Sequence, residues 1–256
     1  MQNNTILTLF VGQCIVKLHE IDSTNTYLKN LLSNSKPLLE GTVIMADHQY
    51  AGRGQNLNVW ESEAGKNLTI SIYLKPGFLA VNEQFDLNKA ISLGIIDCLN
   101  KVLGESCKIK WPNDIYFHDK KIGGILIENV TKGYNLKESV IGIGLNVNQI
   151  NFPNQLSRVS SISKVLHKDY KLEKLLAQIC ENIESRYLQL KAGKKELLAN
   201  DYKNNLFRLN EEHSFEIENK IVLGTIKGVT TIGKLLLQVD KELIKLDLKE
   251  VKFIFD

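Results

Sequence analysis

Apolar residues in the first half of the chain form short runs with the spacing of strands and helices. Four runs predict β-strands, at 14–21, 42–46, 67–74 and 107–111. Apolar residues at helical spacing predict a first helix that contains Tyr27 and Leu31 and a longer helix over 85–103. Because strands and helices do not alternate regularly, the pattern indicates an α+β body.

Three further strand-like runs follow, at 115–117, 122–130 and 140–147. A polar turn at 118–121 separates the first two runs, and a turn around Gly133 separates the last two. Runs joined by such short polar turns are typical of antiparallel neighbours. The sequence therefore predicts a three-stranded meander.

The last third of the chain changes from a helical to a strand-like pattern. Apolar residues from Leu172 to Leu190 lie on one stripe, which predicts an amphipathic helix. From about residue 206, short apolar runs alternate with turns, which predicts a small antiparallel sheet or barrel. The turns are expected at Glu218-Asn219, Gly228, Gly233 and Asp240. We therefore expect two domains, at 1–204 and 205–256.

The composition limits the classes of function. Hydrophobic residues make up 43% and charged residues 24% of the 256 positions, which is the balance of a folded globular protein. The net charge of +3 is small and the lysines are interspersed with glutamates, so we expect no nucleic-acid partner. The four cysteines form no metal-binding or redox pair, and no apolar run has the length of a membrane span. We expect a cytoplasmic protein with reduced cysteines and no membrane partner.

The polar stretch 49–63 lacks both periodicities and predicts a long loop. It contains Gly52-Arg53-Gly54, followed by Trp60. Glycines beside an arginine let the backbone approach an anion, while the guanidinium offers a planar fork of donors that matches phosphate. By itself, the pattern more often describes an ordinary turn with a solvated arginine.

A second polar segment, Lys110-Trp111-Pro112-Asn113-Asp114, ends a predicted strand. Asn and Asp side chains at a strand end suit a ligand or Mg²⁺, which prefers carboxylate and phosphate oxygens. A turn with a packed tryptophan explains the same residues as well.

Glycines interrupt two of the predicted strands. Lys121 precedes Gly123-Gly124, and Gly142 and Gly144 remove two side chains from one face of a later strand. Glycine inside a strand usually marks a bulge or the close approach of a ligand. The spacing favours an open slot, and a bulge beside a solvated lysine is the alternative.

Together, five motifs in this order resemble those of the biotin protein ligases. They are Ser23-Thr24-Asn25, Gly52-Arg53-Gly54 with Trp60, Lys110 to Asp114, Lys121 to Leu126, and Gly142-Ile143-Gly144-Leu145-Asn146. The likeness covers residues 14–150, and the β-rich tail is similar to the SH3-like domain that closes such ligases. The resemblance implies an α+β fold in which a mixed-sheet, biotin/lipoate ligase-like catalytic domain is followed by a small SH3-like β-barrel domain.

The resemblance also implies an activity with ATP and biotin as substrates. The biotin carboxylate attacks the α-phosphate to give biotinyl-5′-AMP, and a lysine of a biotin carboxyl carrier protein then attacks this adenylate. A carboxylate and a polyphosphate repel each other, so neutralising charge and alignment supply much of the catalysis. The catalytic residues implied are Arg53, Lys110, Lys121 and Asp114.

Two binding sites follow from the same resemblance. The biotin site comprises Ser23, Thr24, Asn25, Gln49, Gly52, Arg53, Lys121, Gly124, Gly142 and Gly144. The nucleotide site comprises Arg53, Gly54, Trp60, Lys110, Asn113, Lys121 and Asn146. Mg²⁺ is expected with ATP, near Asn113 and Asp114. For Ser23, the alternative is a role as a helix cap alone.

Other interpretations of the resemblance remain open. About twenty residues precede Ser23, fewer than the roughly 50 of a small domain, so we expect a monofunctional ligase without a DNA-binding domain. Such ligases occur as monomers and as homodimers. A lipoate or octanoate ligase shares the architecture, but its ligand lacks the ureido ring that suits Gln49. A non-enzymatic biotin sensor needs no phosphate contacts from Arg53 or Lys121.

One departure from the resemblance concerns the loop after Gly54. Many such ligases have basic residues there, whereas this chain has Gln55-Asn56-Leu57-Asn58. We predict that Gln55→Arg slows the release of the adenylate by a factor of about 10–100, since one charge-assisted contact contributes roughly 1.5–3 kcal/mol. Stopped-flow fluorescence of Trp60 measures this rate. An unchanged or faster release would show that loop closure, and not local charge, retains the adenylate.

Overall fold

The computed structural model describes residues 6–34, 37–55, 58–104, 106–153 and 157–255. Its central feature is a seven-stranded sheet with both parallel and antiparallel pairs. The strands are β1 (Ile15–Ile21), β2 (Val43–Gln49), β3 (Leu68–Leu74), β4 (Cys107–Lys110), β5 (Asp114–Phe117), β6 (Lys120–Lys132) and β7 (Asn135–Leu145).

The strand order in this sheet is β1-β2-β3-β7-β6-β5-β4. β1 and β2 run parallel, and the other neighbouring pairs run antiparallel. The predicted meander is formed by β5, β6 and β7, which lie side by side. The sheet is therefore mixed, and the predicted α+β class is confirmed.

Helices cover the two faces of the sheet unequally. The helices are α1 (Thr24–Ser33), α2 (Gln84–Leu103), α3 (Ile162–Leu166), α4 (Leu172–Lys191) and α5 (Lys195–Asn204). Burial alternates along the strands, so that Ile72 and Ile141 join the large cluster with α2 and α4, whereas Tyr73 and Val140 pack under α1. The face under α1 is only partly covered, which leaves room there for a cavity.

The sequence did not predict α3 and α5. α3 has only five residues, and only Leu198 and Tyr202 are buried in α5, so neither helix shows a clear helical period of apolar residues. Ser161 is the N-cap of α3, and its side chain accepts a hydrogen bond from the Lys164 N–H at 3.3 Å. Such a capping contact stabilises the start of a helix that is too short to show a hydrophobic period.

A second, antiparallel sheet follows α5. Its strands are β8 (Glu212–Ile217), β9 (Lys220–Val229), β10 (Leu235–Val239), β11 (Glu242–Leu246) and β12 (Lys252–Phe253), in the order β11-β10-β9-β8-β12. The turns predicted at Glu218-Asn219, Gly233 and Asp240 separate these strands. The turn predicted at Gly228 is wrong, because this residue lies inside β9 where the register with β10 shifts, as glycine at a bulge does. The division into two domains at residue 204 stays a prediction.

The two sheets are joined beside the segment 110–114. The indole N–H of Trp111 donates to the carbonyl of Gly233 at 2.8 Å. The backbone N–H of Ile109 donates to the Asn205 carbonyl at 2.8 Å, and its carbonyl accepts from the Phe207 N–H at 2.9 Å. The second sheet therefore holds this segment in place.

At Gly94, α2 packs closely against the backbone of α4. A Cβ atom there would lie 2.7 Å from the Cα and 2.9 Å from the nitrogen of Ile183, and backbone atoms cannot move aside as a flexible side chain can. We predict that Gly94→Ala lowers the free energy of unfolding by about 2 kcal/mol, because overpacking outweighs the gain of roughly 1 kcal/mol in helix propensity. Denaturant unfolding measures the difference.

Ser92, one half-turn earlier in α2, provides the control. Its hydroxyl is buried and has no hydrogen-bond partner among the described residues, so Ser92→Ala should leave stability unchanged or raise it by up to about 1 kcal/mol. Equal stability of the Gly94→Ala and Ser92→Ala proteins would contradict the close packing of the helices.

Candidate active site

A cavity of about 230 Å³ lies on the sheet face that carries α1. Two neighbouring rows of residues form its floor. The first row, across β3, β7, β6 and β5, is Thr69, Gly144, Gly124 and Asp114. The second row, across β3, β7 and β6, is Ser71, Gly142 and Leu126. Residues two apart on a strand face the same side, so the glycines of both rows let other side chains lie directly on the backbone, as Asn25 does at Gly142 and Trp60 does at Gly144.

A buried polar network forms one wall of the cavity. The side-chain oxygen of Gln49 accepts hydrogen bonds from the backbone N–H of Thr24 at 2.8 Å and from its hydroxyl at 2.9 Å. The hydroxyl of Ser71 lies 2.7 Å from the Thr24 hydroxyl and 2.5 Å from Oδ1 of Asn25. Nε2 of Gln49 makes no hydrogen bond to another described residue, so it can donate to a ligand. The end of β2 and the start of α1 thus hold the amide of Gln49 in a fixed orientation.

Ser23 adds a hydroxyl to the same wall. The residue occupies the N-cap position of α1, but its side chain makes no capping hydrogen bond. Instead, the side chain is buried and lines the cavity. The interpretation of Ser23 as a helix cap alone is therefore wrong, because the hydroxyl borders the cavity and does not bind the helix N–H groups.

Trp60 lies over the glycine floor. A short ladder within the loop holds it, in which the Trp60 N–H donates to the Gly52 carbonyl at 3.0 Å and the Gly54 N–H donates to the Asn58 carbonyl at 2.7 Å. A Cβ atom at Gly144 would lie only 2.5 Å from the indole ring. The indole N–H is buried and finds no acceptor among the described residues. Since such a group costs roughly 1–3 kcal/mol, an acceptor on a ligand would be favourable.

Three cationic side chains line the cavity, from Arg53, Lys110 and Lys121. The ammonium of Lys121 lies 2.6 Å from Oδ1 of Asp114, and Nη2 of Arg53 lies 3.1 Å from Oε2 of Glu128. Among the described residues, no carboxylate forms an ion pair with Lys110. Two of the three cations are therefore neutralised, and the third is available to an anion.

Lys110 stands in a largely apolar environment. Its Nζ lies 4.6 Å from the ring centre of Phe253, on the last strand of the second sheet. Burial lowers the pKa of Lys110; the nearby charge of Asp114 opposes this effect, and the charges of Lys121 and Arg208 add to it. An anion bound at this position would stabilise the ammonium.

Most of the predicted site residues line this one cavity. They are Ser23, Thr24, Asn25, Gln49, Arg53, Gly54, Trp60, Lys110, Asn113, Asp114, Lys121, Gly124, Gly142 and Gly144. Gly52 lies behind the wall, where a Cβ atom would meet Nε2 of Gln49 at 2.9 Å. Asn146 is also outside, and its side-chain amide donates to the Ser160 carbonyl at 3.1 Å. The assignment of Asn146 to the nucleotide site stays a prediction.

Sequence reasoning missed several residues of the cavity and its rim. Leu248 enters from the segment after β11, and Thr69 and Ser71 belong to the floor. Glu128 holds Arg53 at the rim. Glu128 could have been found from the sequence, because residues 124, 126 and 128 of β6 are two apart and therefore lie on one face of the strand. For Leu248 no local signal exists, since only the contact between the sheets brings it there.

Metal and thiol chemistry have little support in the described part of the chain. It contains no cluster of three or more His, Cys, Asp or Glu side chains that could hold a metal ion. None of its helices has the length and apolarity needed to cross a membrane. The four cysteines are unpaired, and burial raises the pKa of Cys98, Cys107 and Cys180 to about 12.

Comparisons with known proteins agree with this geometry. Residues 18–146 match the Biotin/lipoate A/B protein ligase family. The bifunctional ligase/repressor BirA of Bacillus subtilis is 31% identical over 183 residues, which span 70% of this chain and 55% of that protein. The biotin–[acetyl-CoA-carboxylase] ligase of Paracoccus denitrificans is 33% identical over 135 residues, which span 51% of this chain and 53% of that protein.

A solved structure is similar over almost the whole chain. It is a biotin protein ligase variant from Aquifex aeolicus in complex with biotin, with 25% identity and a TM-score of 0.78, covering 95% of this chain and 99% of that one. By contrast, the chain spans little more than half the length of the Bacillus subtilis and Paracoccus denitrificans proteins. The match to the family, over residues 18–146, runs from within β1 to the end of β7 and includes most of the strands and loops that build the cavity. The chain therefore belongs to the Biotin/lipoate A/B protein ligase family.

Proposed function

We propose that this protein is a biotin protein ligase that activates biotin with ATP to biotinyl-5′-AMP and transfers biotin to a lysine of a biotin carboxyl carrier protein. The observation that carries the proposal is the single cavity in which amide and hydroxyl groups on one side meet three cations on the other. The names of the matched relatives, a ligase/repressor and a biotin–[acetyl-CoA-carboxylase] ligase, support it. A cytoplasmic location is part of the proposal, and both a monomer and a homodimer are compatible with it.

The glycine floor and the polar wall suit the biotin end of the reaction. Biotin is an apolar bicycle with a ureido group, which requires a dry slot and a few fixed donors and acceptors. Gln49 supplies an oriented amide donor, and the hydroxyl of Ser23 can donate or accept. A side chain at Gly142 would meet Oδ1 of Asn25 at 2.6 Å, so glycine there leaves room for the Asn25 amide in the cavity wall.

The cations suit the activation step. When the carboxylate oxygen attacks the α-phosphorus, pyrophosphate leaves and negative charge concentrates on the phosphoryl oxygens. Lys121 can neutralise this charge once the anion competes with Asp114 for its ammonium, and Arg53 can do so through the N–H groups that do not contact Glu128. Lys110 adds an ammonium that has no carboxylate partner among the described residues. In the second step, the amine of the carrier lysine attacks the acyl carbon and AMP leaves.

Mg²⁺ would enter as a companion of ATP. It is usually held by one or two carboxylates together with phosphate oxygens and water. Asp114 is the carboxylate that the described cavity lining offers, and Asn113 lies beside it. These donors fit an ion that is bound chiefly through the nucleotide.

Two measurements test the proposal against its alternatives. Biotin-dependent exchange of labelled pyrophosphate into ATP would distinguish a ligase from a non-enzymatic biotin sensor, which has no such activity. Isothermal titration with biotin and with lipoate would distinguish the two ligand classes named by the family. Tight binding of lipoate with no heat from biotin would overturn the assignment of biotin.

We predict that Lys121→Ala lowers biotin-dependent pyrophosphate exchange by at least about 10²-fold, as expected when a charge contact in the transition state is removed. The matched control is Lys120→Ala, which removes the neighbouring exposed lysine at the start of β6 and should leave exchange unchanged. Circular dichroism checks that both proteins are folded. Near-normal exchange in folded Lys121→Ala protein would exclude this lysine from the reaction.

We predict that Lys110→Met keeps or raises the thermal unfolding temperature while it lowers pyrophosphate exchange about 10-fold. Because burial lowers the pKa of Lys110 below 10.5, the unfolded chain takes up this proton more readily, and the protonated lysine destabilises the fold at neutral pH. Between the lowered pKa and 10.5, stability of the native protein should rise with pH, and this dependence should weaken in Lys110→Met.

The control for this variant is Lys108→Met on the same strand, where the ammonium reaches the Asn204 carbonyl at 3.2 Å. Pyrophosphate exchange by Lys108→Met should match that of the native protein. A Lys110→Met protein that melts several degrees lower would show that this lysine stabilises the fold and that its burial is compensated.

A further inference from the structure

Glu128 on β6 gathers three donors at the rim of the cavity. Its Oε1 accepts from the Lys29 ammonium at 2.6 Å, and its Oε2 accepts from Nδ2 of Asn25 at 2.8 Å and from Nη2 of Arg53 at 3.1 Å. Lys29 and Asn25 belong to α1, whereas Arg53 belongs to the loop after β2. A carboxylate on the sheet therefore joins a helix to a loop.

The carboxylate is partly buried and ionised. Burial opposes the ionisation of Glu128, but hydrogen bonds from Lys29 and Asn25 and the charge of Arg53 outweigh it and hold the pKa of Glu128 below its usual value. The side chain of Glu128 is 25% exposed, against 44% for Arg53. The carboxylate of Glu128 is thus less exposed than the guanidinium of Arg53 that it contacts.

The contact uses only one edge of the guanidinium. The hydrogen bonds of Arg53 to Glu128 and to the Thr26 hydroxyl, at 3.3 Å, all come from Nη2. A guanidinium has five N–H donors in a fixed plane, so holding one edge orients the others. Arg53 also lines the cavity, which places its remaining donors where a phosphate would lie.

We propose that Glu128 is a positioning residue, which fixes the guanidinium of Arg53 and its loop so that the remaining N–H groups bind the phosphate of the adenylate. The proposal rests on the proposed function for the identity of the anion. Lys29 and Asn25 hold the carboxylate in turn, and Lys29 balances the charge that remains when Arg53 binds a phosphate.

The first test is hydrogen exchange in the ligand-free protein, which needs no activity. In Glu128→Gln, peptides that cover residues 50–60 should exchange about 10-fold faster than in the native protein, because an amide holds Arg53 more weakly than a carboxylate does. The control is Glu173→Gln, which removes the exposed ion pair with Lys17 and should leave these peptides unchanged. Unchanged exchange of residues 50–60 in Glu128→Gln would overturn the proposal.

The second test is a double-mutant cycle in biotin-dependent pyrophosphate exchange. Glu128→Gln should lower kcat/KM about 10-fold when Arg53 is present and less than 2-fold in an Arg53→Ala background, because its effect passes through the arginine. An equal loss in both backgrounds would mean that Glu128 supports only the fold. A gain in kcat/KM would mean that Glu128 competes with the phosphate for Arg53, and either result would overturn the proposal.

The two tests also separate this proposal from the proposed function. If the native protein shows no pyrophosphate exchange, the assignment as a ligase fails, while hydrogen exchange still decides whether Glu128 fixes the loop. If the native protein is active and the loop exchanges equally in both proteins, the ligase assignment stands and the positioning role fails.

Discussion

The site depends on one constraint, which is that glycines, without side chains, occupy the centre of the seven-stranded sheet. Gly124 and Gly144 are neighbours on β6 and β7, with Gly142 two residues from Gly144. A cavity here requires that the opposite face of the sheet be fully packed, and α2 and α4 provide that packing. Above the glycines, the loop can bring Trp60 within contact of the backbone. The same residues that would weaken an ordinary strand thus create the space for a ligand.

Charge balance is the second constraint. Placing Arg53, Lys110 and Lys121 in one cavity costs free energy, because like charges repel and burial removes water. Asp114 and Glu128 offset most of this cost for two of the cations. An anionic ligand can displace Asp114 from Lys121, whereas at Arg53 it can bind the N–H groups that do not contact Glu128. Lys110 lacks such a partner among the described residues, and its ammonium gains most from a phosphate.

The long elements and the motif residues could be predicted from the sequence, because both depend on local patterns. Spacing predicted α2 and α4 almost to their ends, and five ordered motifs indicated residues that line one cavity. Contacts between distant segments could not be predicted in this way. Leu248 reaches the cavity only because the second sheet packs beside Trp111, and Ser23 borders the cavity although its position indicates a helix cap. Gly228 was assigned to a turn because glycine marks turns and bulges alike.

The two ends of the cavity differ in how firmly they are built. The polar wall is buried and internally hydrogen-bonded, with Thr24 at 3% and Gln49 at 8% exposure, so its donors need no rearrangement to meet a ligand. The opposite end depends on a loop held by its own short ladder and by the contact between Arg53 and Glu128. A preorganised wall lowers the entropic cost of binding the first ligand. On the proposed function, biotin would bind to the rigid end, and its carboxylate would then add the charge that draws Lys121 away from Asp114. The anion that reacts would thereby complete the half of the site that activates it.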